Sequence, residues 1–144
     1  MNKFAVLIVD DSQDDRYLLK RRLKEINKNV TVFEKENGQE AIDYFVAYNE
    51  NQTKYPDEFP PLAVFLDINM PLVDGFGFLE KFRELRKEHD LDTSFIVMFS
   101  SSERVEEKEK AFSYEYVKGY LTKGSYSTET LKAEIEKLQI QANK

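Results

Sequence analysis

Five short apolar runs constrain this chain more than any other feature. They lie at residues 4–9, 30–33, 62–66, 94–99 and 117–121, and most of them end in polar or charged residues. Runs of this length are too short for buried helices. Near-continuous apolar character suits strands covered on both faces, as in a parallel sheet. Amphipathic stretches fill most of the gaps. Residues 12–26 read as a helix with Leu19, Leu23 and Ile26 on its inner stripe, Ser12 as N-cap, and Asp14 and Asp15 complementing the helix dipole in the first turn. Gly38 opens a second helix, with Ala41, Ile42 and Phe45 facing inward. Phe78, Phe82 and Leu85 mark a third. Residues 103–112 make a mostly charged fourth, with Val105, Ala111 and Phe112 as its apolar support. Leu131, Ile135 and Leu138 mark a fifth, capped by Ser127. The polar, proline-containing stretch 49–61 lacks periodicity and reads as a long surface loop.

Strand and helix thus alternate five times. That pattern predicts an α/β fold, with one doubly wound parallel sheet of five strands and five helices on its two faces. The 144 residues fit one domain over 1–144, with no output domain attached. Hydrophobic residues at 41% are enough for a core. A net charge of -6 repels a phosphate backbone, so nucleic acid is not an expected partner. The chain has no cysteine, which excludes disulfides and thiolate metal sites. No apolar stretch approaches the length of a membrane span, and the first run is too short for a secretion signal. A soluble cytoplasmic protein without membrane partners is the expectation.

In a doubly wound sheet, ligands bind beyond the carboxyl ends of the strands. The first strand ends in Asp10-Asp11, the third in Asp67, the fourth in Ser100-Ser101-Ser102, and the fifth in Thr122-Lys123. Singly, each has an ordinary structural reading as a turn, a cap or a surface charge. Jointly, they bring three carboxylates, a hydroxyl and an ammonium to one edge. Clustered carboxylates resist joint ionisation unless a cation offsets them. Magnesium, which prefers a few carboxylates plus water and phosphate oxygens, suits Asp10, Asp11 and Asp67, with the backbone carbonyl of Asn69 completing the shell.

The segments Ile8-Val9-Asp10-Asp11, Phe65-Leu66-Asp67-Ile68-Asn69-Met70-Pro71 with Asp74-Gly75, Met98-Phe99-Ser100-Ser101-Ser102, and Tyr120-Leu121-Thr122-Lys123 together resemble the signature of two-component response-regulator receiver domains. The resemblance spans nearly the whole chain, and it is closest to the stand-alone, chemotaxis-regulator type. It implies a flavodoxin-like sheet with strand order 2-1-3-4-5. It also implies that Asp67 accepts a phosphoryl group from a histidine kinase. Asp10, Asp11, Asp67 and Asn69 would hold Mg2+, and Ser100 and Lys123 would bind phosphoryl oxygens. Tyr120 would be the aromatic switch, turning inward as Ser100 is drawn to the phosphate. Signalling would then run through a downstream protein target or through a phosphorelay with a histidine phosphotransfer protein. On this reading the protein is a signalling phosphoacceptor, not an enzyme acting on other substrates. Pairing into a homodimer through the last helices is neither required nor excluded.

One departure stands out. Proline usually follows the lysine in this family, often after a cis bond, whereas this chain has Lys123-Gly124. A cis bond before a non-proline residue costs about 3–4 kcal/mol. The expectation is a trans bond with a remodelled loop, or a strained cis one. Other motifs are weaker. Gly75-Phe76-Gly77 lacks the third glycine of a dinucleotide fingerprint, and no phosphate-binding GxxxxGK[ST] loop exists. His89, the sole histidine, lies in a charged stretch and reads as a surface residue. Phe76 and Phe78, just beyond the Asp67 loop, are candidates for partner contact. Two other readings compete. A haloacid-dehalogenase-like phosphatase would need a carboxylate where Asn69 stands. A degenerate receiver that binds partners without phosphorylation is hard to reconcile with the intact Asp10, Asp11, Asp67 and Ser100 set.

Overall fold

A computed structural model describes residues 3–144. The elements run β1 (Ala5–Val9), α1 (Gln13–Ile26), β2 (Thr31–Lys35), α2 (Gly38–Val46), α3 (Tyr48–Lys54), β3 (Ala63–Leu66), α4 (Gly75–Glu88), β4 (Phe95–Ser100), α5 (Val105–Phe112), β5 (Val117–Thr122) and α6 (Thr128–Ala142). The five strands form one parallel sheet in the order β2-β1-β3-β4-β5, as expected. The central strands β1, β3 and β4 are buried along their whole length. β5 alternates buried and half-buried residues at one edge, and β2 forms the more exposed opposite edge.

The sheet separates two cores. On one face Leu7, Val9, Val64, Leu66 and Met98 pack with Ala41 and Phe45 of α2 and with Phe78, Leu79 and Phe82 of α4. On the other, Val6, Ile8, Phe65 and Val97 pack with Leu19 and Leu23 of α1 and with Leu131, Ile135 and Leu138 of α6. Edge-to-face rings tie the first core together: the Phe45 ring lies 5.1 Å from Tyr44 and 5.1 Å from Phe82. Such pairs add stability beyond the area they bury.

The helix starts are set by side chains. Ser12, Asn37, Asp74 and Ser127 each accept a hydrogen bond from a first-turn backbone N–H, opening α1, α2, α4 and α6. Ser12 and Ser127 act as the sequence suggests.

Three expectations need correction. The sheet carries six helices rather than five, because α3 occupies the first half of the stretch read as a loop. α3 has no apolar stripe, so hydrophobic periodicity could not mark it. It is held by burial of Tyr48, whose hydroxyl donates to the Asp90 carbonyl, and by Asn51, whose side-chain amide donates to the Tyr44 carbonyl. Secondly, Phe78 is fully buried in the core and presents nothing to a partner. Phe76 is half-buried, with the Lys110 ammonium 4.2 Å from its ring centre. Thirdly, Val105 and Phe112 do not anchor α5; both are exposed, and only Ala111 is buried. His89 is half-buried and lies flat on the Tyr48 ring at 4.6 Å.

Candidate functional site

The parallel register fixes where the acidic residues emerge. Val9 of β1 pairs with Leu66 of β3, so Asp10 and Asp67 are the next residues on adjacent strands. The Asp67 N–H donates to the Val9 carbonyl, and the Asp10 N–H donates to the Lys35 carbonyl. Ser100, the last residue of β4, pairs with Thr122 of β5, and the Lys123 N–H donates to the Ser100 carbonyl at 2.8 Å. All four residues therefore stand on one edge through backbone pairing.

Arg16, itself buried, fixes the turn after β1. Its guanidinium donates to the Asp10 carbonyl at 2.7 Å and to Glu34 at 3.1 Å. Gly75 fixes the approach of α4. Its N–H donates to the Ile68 carbonyl, and a Cβ there would lie 2.5 Å from the Asp67 carbonyl oxygen. Any other residue would push α4 away from the Asp67 loop. In the same loop Leu72 adopts a left-handed backbone, with φ 67°, and its side chain is 81% exposed.

At the centre, the Lys123 ammonium lies 2.7 Å from Asp10 Oδ2, 3.1 Å from Asp15 Oδ2 and 3.4 Å from Asp67 Oδ2. Asp10 is fully buried and Asp67 nearly so, while Asp11 is exposed. Burial pushes the Asp67 carboxyl up to about 6; Lys123 pulls it down, Asp10 pushes it further up, and the Asn69 N–H stabilises the anion. For Lys123, burial alone would lower the ammonium, but Asp10, Asp67 and Asp15 outweigh it and the net shift is upward.

The donor set fits a divalent cation. Asp10, Asp11 and Asp67 can each bring one carboxylate oxygen within 4.8 Å of the others. Asp10 Oδ1 accepts the Ser12 N–H, and the wholly buried Oδ2 is paired with the Lys123 ammonium at 2.7 Å. Three carboxylates converging on one point, two of them buried with a single ammonium between them, suit a hard divalent cation. Asn69 is exposed in the adjoining loop.

Beside this pocket, Ser100 is fully buried, and its Oγ accepts the Ser102 N–H at 3.1 Å. Tyr120 is half-buried, and its hydroxyl donates to the Ser102 carbonyl at 2.9 Å. Ser102 Oγ donates to Glu107 in the first turn of α5 and accepts the Arg104 N–H. Ser102 thus joins Ser100, Tyr120 and α5. The only cis peptide among the described residues is Phe59-Pro60, so the Lys123-Gly124 bond is trans. Gly124 has φ +81°, and nothing lies within 4 Å of where a Cβ would be.

The structure brings together Asp10, Asp11, Asp67 and Lys123, with Ser100 and Tyr120 in the neighbouring loop network. Sequence reasoning named Asp15 only as a first-turn residue and Ser102 only within the run that ends the fourth strand, and it did not single out Arg16. Asp15 carries a first-turn signature that the helix dipole already explains, so no signal in the chain marked it out.

Comparison with known proteins identifies the family and the fold. Residues 6–136 match the response regulator receiver domain, and the chain belongs to that family. It is 28% identical over 134 residues to the sensor histidine kinase CheAY of Helicobacter pylori, covering 92% of this chain but only 15% of that protein's length. A two-component response regulator from Cytophaga hutchinsonii superposes with a TM-score of 0.78 at 22% identity, covering 96% of this chain and 99% of the other. The receiver domain of the Arabidopsis thaliana histidine kinase CKI1, complexed with Mg2+ and BeF3-, superposes with a TM-score of 0.77 at 23% identity, covering 95% and 90%. These structures share the fold. The chain is thus a receiver domain of the kind used in two-component systems, a signalling domain rather than a conventional enzyme. No helix among the described residues is long and apolar enough to cross a membrane.

Proposed function

We propose that this receiver accepts a phosphoryl group on Asp67 from a phosphohistidine, in a magnesium-dependent reaction, and passes the signal on by partner binding or phosphorelay. The observation that carries the reading is the convergence on Asp67. A nearly buried carboxylate shares one edge with the fully buried Asp10 carboxylate and with an ammonium 2.7 Å from Asp10 and 3.4 Å from Asp67.

Asp10, Asp11 and Asp67 would hold the cation, with the Asn69 carbonyl. When bound, magnesium supplies positive charge for the transferring phosphoryl oxygens. An Asp67 oxygen attacks phosphorus in line, forming the acyl–phosphate bond. The phosphorus–nitrogen bond breaks, its electron pair returns to the imidazole, and the ring takes up a proton. Lys123 pairs with one phosphoryl oxygen, and the Ser100 hydroxyl donates to another. Water later cleaves the acyl phosphate and restores the carboxylate. Burial favours this use of Asp67, because a poorly solvated anion gains by bonding to a metal-shielded phosphoryl group. Ser100 is tied to Ser102, and Ser102 to Tyr120 and α5, so a shift of the Ser100 hydroxyl has a route to the surface. The partners would be a histidine kinase, a histidine phosphotransfer protein and a downstream target recognising the α5–β5 side.

The test is mass spectrometry after incubation with magnesium and acetyl phosphate. One phosphoryl adduct is expected, absent in Asp67→Asn and in chelator. A folded wild-type protein that takes no adduct from acetyl phosphate or from a phosphorylated kinase would overturn the proposal.

A further inference from the structure

Asp15 stands apart from the other acidic residues here. Its carboxylate lies 3.1 Å from the Lys123 ammonium, yet it is not among the three that can converge on a cation. It sits in the first turn of α1, where its backbone N–H is held by Ser12 Oγ at 3.2 Å. Its side chain is 35% exposed, so it faces the mouth of the pocket rather than its floor. Lys123 has three carboxylates around it, and two of them, Asp10 and Asp67, are cation ligands in the reading above.

We infer that Asp15 is a positioning residue that keeps Lys123 at the mouth of the pocket once a divalent cation occupies it. The inference rests on the proposed metal and phosphoryl chemistry at Asp67. A cation on Asp10 and Asp67 neutralises their pull and repels the ammonium. Asp15 alone then remains as its counter-charge. The backbone is held without the lysine side chain: the Lys123 N–H donates to the Ser100 carbonyl, the Ser125 N–H donates to the Thr122 carbonyl at 3.2 Å to close a turn over Lys123-Gly124, and Gly124 has φ +81°. The ammonium itself has, besides the three carboxylates, only the Phe99 ring 5.3 Å away among the described contacts. A fixed backbone does not aim a long, flexible ammonium side chain, so its direction depends on the charges around it. Asp15 provides that charge from a fixed helix turn, on the side from which a phosphoryl donor would enter.

The experiment compares wild type with Asp15→Asn, which is close to isosteric, and with Asp15→Glu, which restores the charge. The first readout is the side-chain ammonium signal of Lys123 in nitrogen-15 NMR, assigned by its loss in Lys123→Arg. An ammonium held in an ion pair exchanges slowly enough to be seen. Without magnesium, the signal is expected in both wild type and Asp15→Asn, because Asp10 and Asp67 still hold the lysine. With magnesium, it is expected in wild type and lost in Asp15→Asn. The second readout is phosphorylation from acetyl phosphate, expected to slow roughly three- to tenfold in Asp15→Asn. The magnesium half-saturation should stay unchanged, and Asp15→Glu should recover part of the rate. A signal that survives Asp15→Asn in magnesium, or that is missing from magnesium-loaded wild type, overturns the inference. If wild type takes no phosphoryl group at all, the reading of Asp67 falls, and the NMR comparison still decides the role of Asp15.

Discussion

The helices α4 and α5 follow adjacent strands and flank the same site, but they are held in opposite ways. α4 leaves the Asp67 loop and buries Gly75, Phe78, Leu79, Phe82 and Leu85. α5 leaves the Ser100 loop and buries only Ala111, while Val105 and Phe112 face solvent. Packing fixes the first. Polar links fix the second: Ser102 to Glu107, and Tyr120 to the Ser102 carbonyl. Apolar packing of large side chains is stiff and hard to rearrange, whereas hydrogen bonds near the surface are individually weak and exchangeable. The molecule therefore keeps the Asp67 carboxylate beside a rigidly packed helix and the Ser100 hydroxyl beside a loosely packed one. Low local stability suits an element that must respond to a chemical change.

The largest test of this contrast is Phe82→Ala. It removes a fully buried ring from the centre of the α4 core and should cost about 3–5 kcal/mol in urea denaturation. A loss under about 1 kcal/mol would break the comparison, since α4 would then be no better anchored than α5.

Next comes the Asp67 charge, at the end of β3 in the loop that leads to α4. Burial raises Asp67 from 3.8 to about 6, so between these values the folded protein holds a proton that the unfolded chain releases. Stability without metal should therefore fall as pH rises through that range, and the full penalty applies above it. Asp67→Asn should be more stable than wild type at neutral pH in chelator, by roughly 1–3 kcal/mol. The gap should close towards pH 4 and shrink when magnesium is added to wild type. An equal gap at every pH would show that the buried charge is not its source.

Ser102→Ala should lower global stability by only about 1 kcal/mol. It should nonetheless raise amide hydrogen exchange in α5 while leaving α4 unchanged. Exchange rising equally in both helices would mean that they open as one unit. The smallest effect is expected for Val105→Ser, within about 0.5 kcal/mol of wild type, because that side chain is already exposed.

The same contrast explains what the sequence disclosed. The central strands are unbroken apolar runs ending in Asp10, Asp67 and Ser100, so the sheet and its polar edge were legible together. α4 was legible because Phe78, Phe82 and Leu85 keep helical spacing over several turns. α5 was legible as a helix but not in its orientation. With three apolar residues in a charged segment, the pattern cannot show which of them turns inward, and here Ala111 alone does. α3 was hidden because one buried tyrosine and an asparagine amide hold it. Asp15 and Ser102 act through partners distant in sequence, Lys123 and Tyr120. No local pattern records such pairs; only the crossing of strands brings them together.

The pairing of Val9 with Leu66 has a further consequence. Adjacent strands are held about 4.8 Å apart by their backbone hydrogen bonds. The separation of the Asp10 and Asp67 backbones is therefore a lattice constant of the sheet, not a choice made by side chains. Core substitutions can loosen the whole domain, but they cannot retune that separation gradually. The two carboxylates stay in gauge until the sheet itself comes apart.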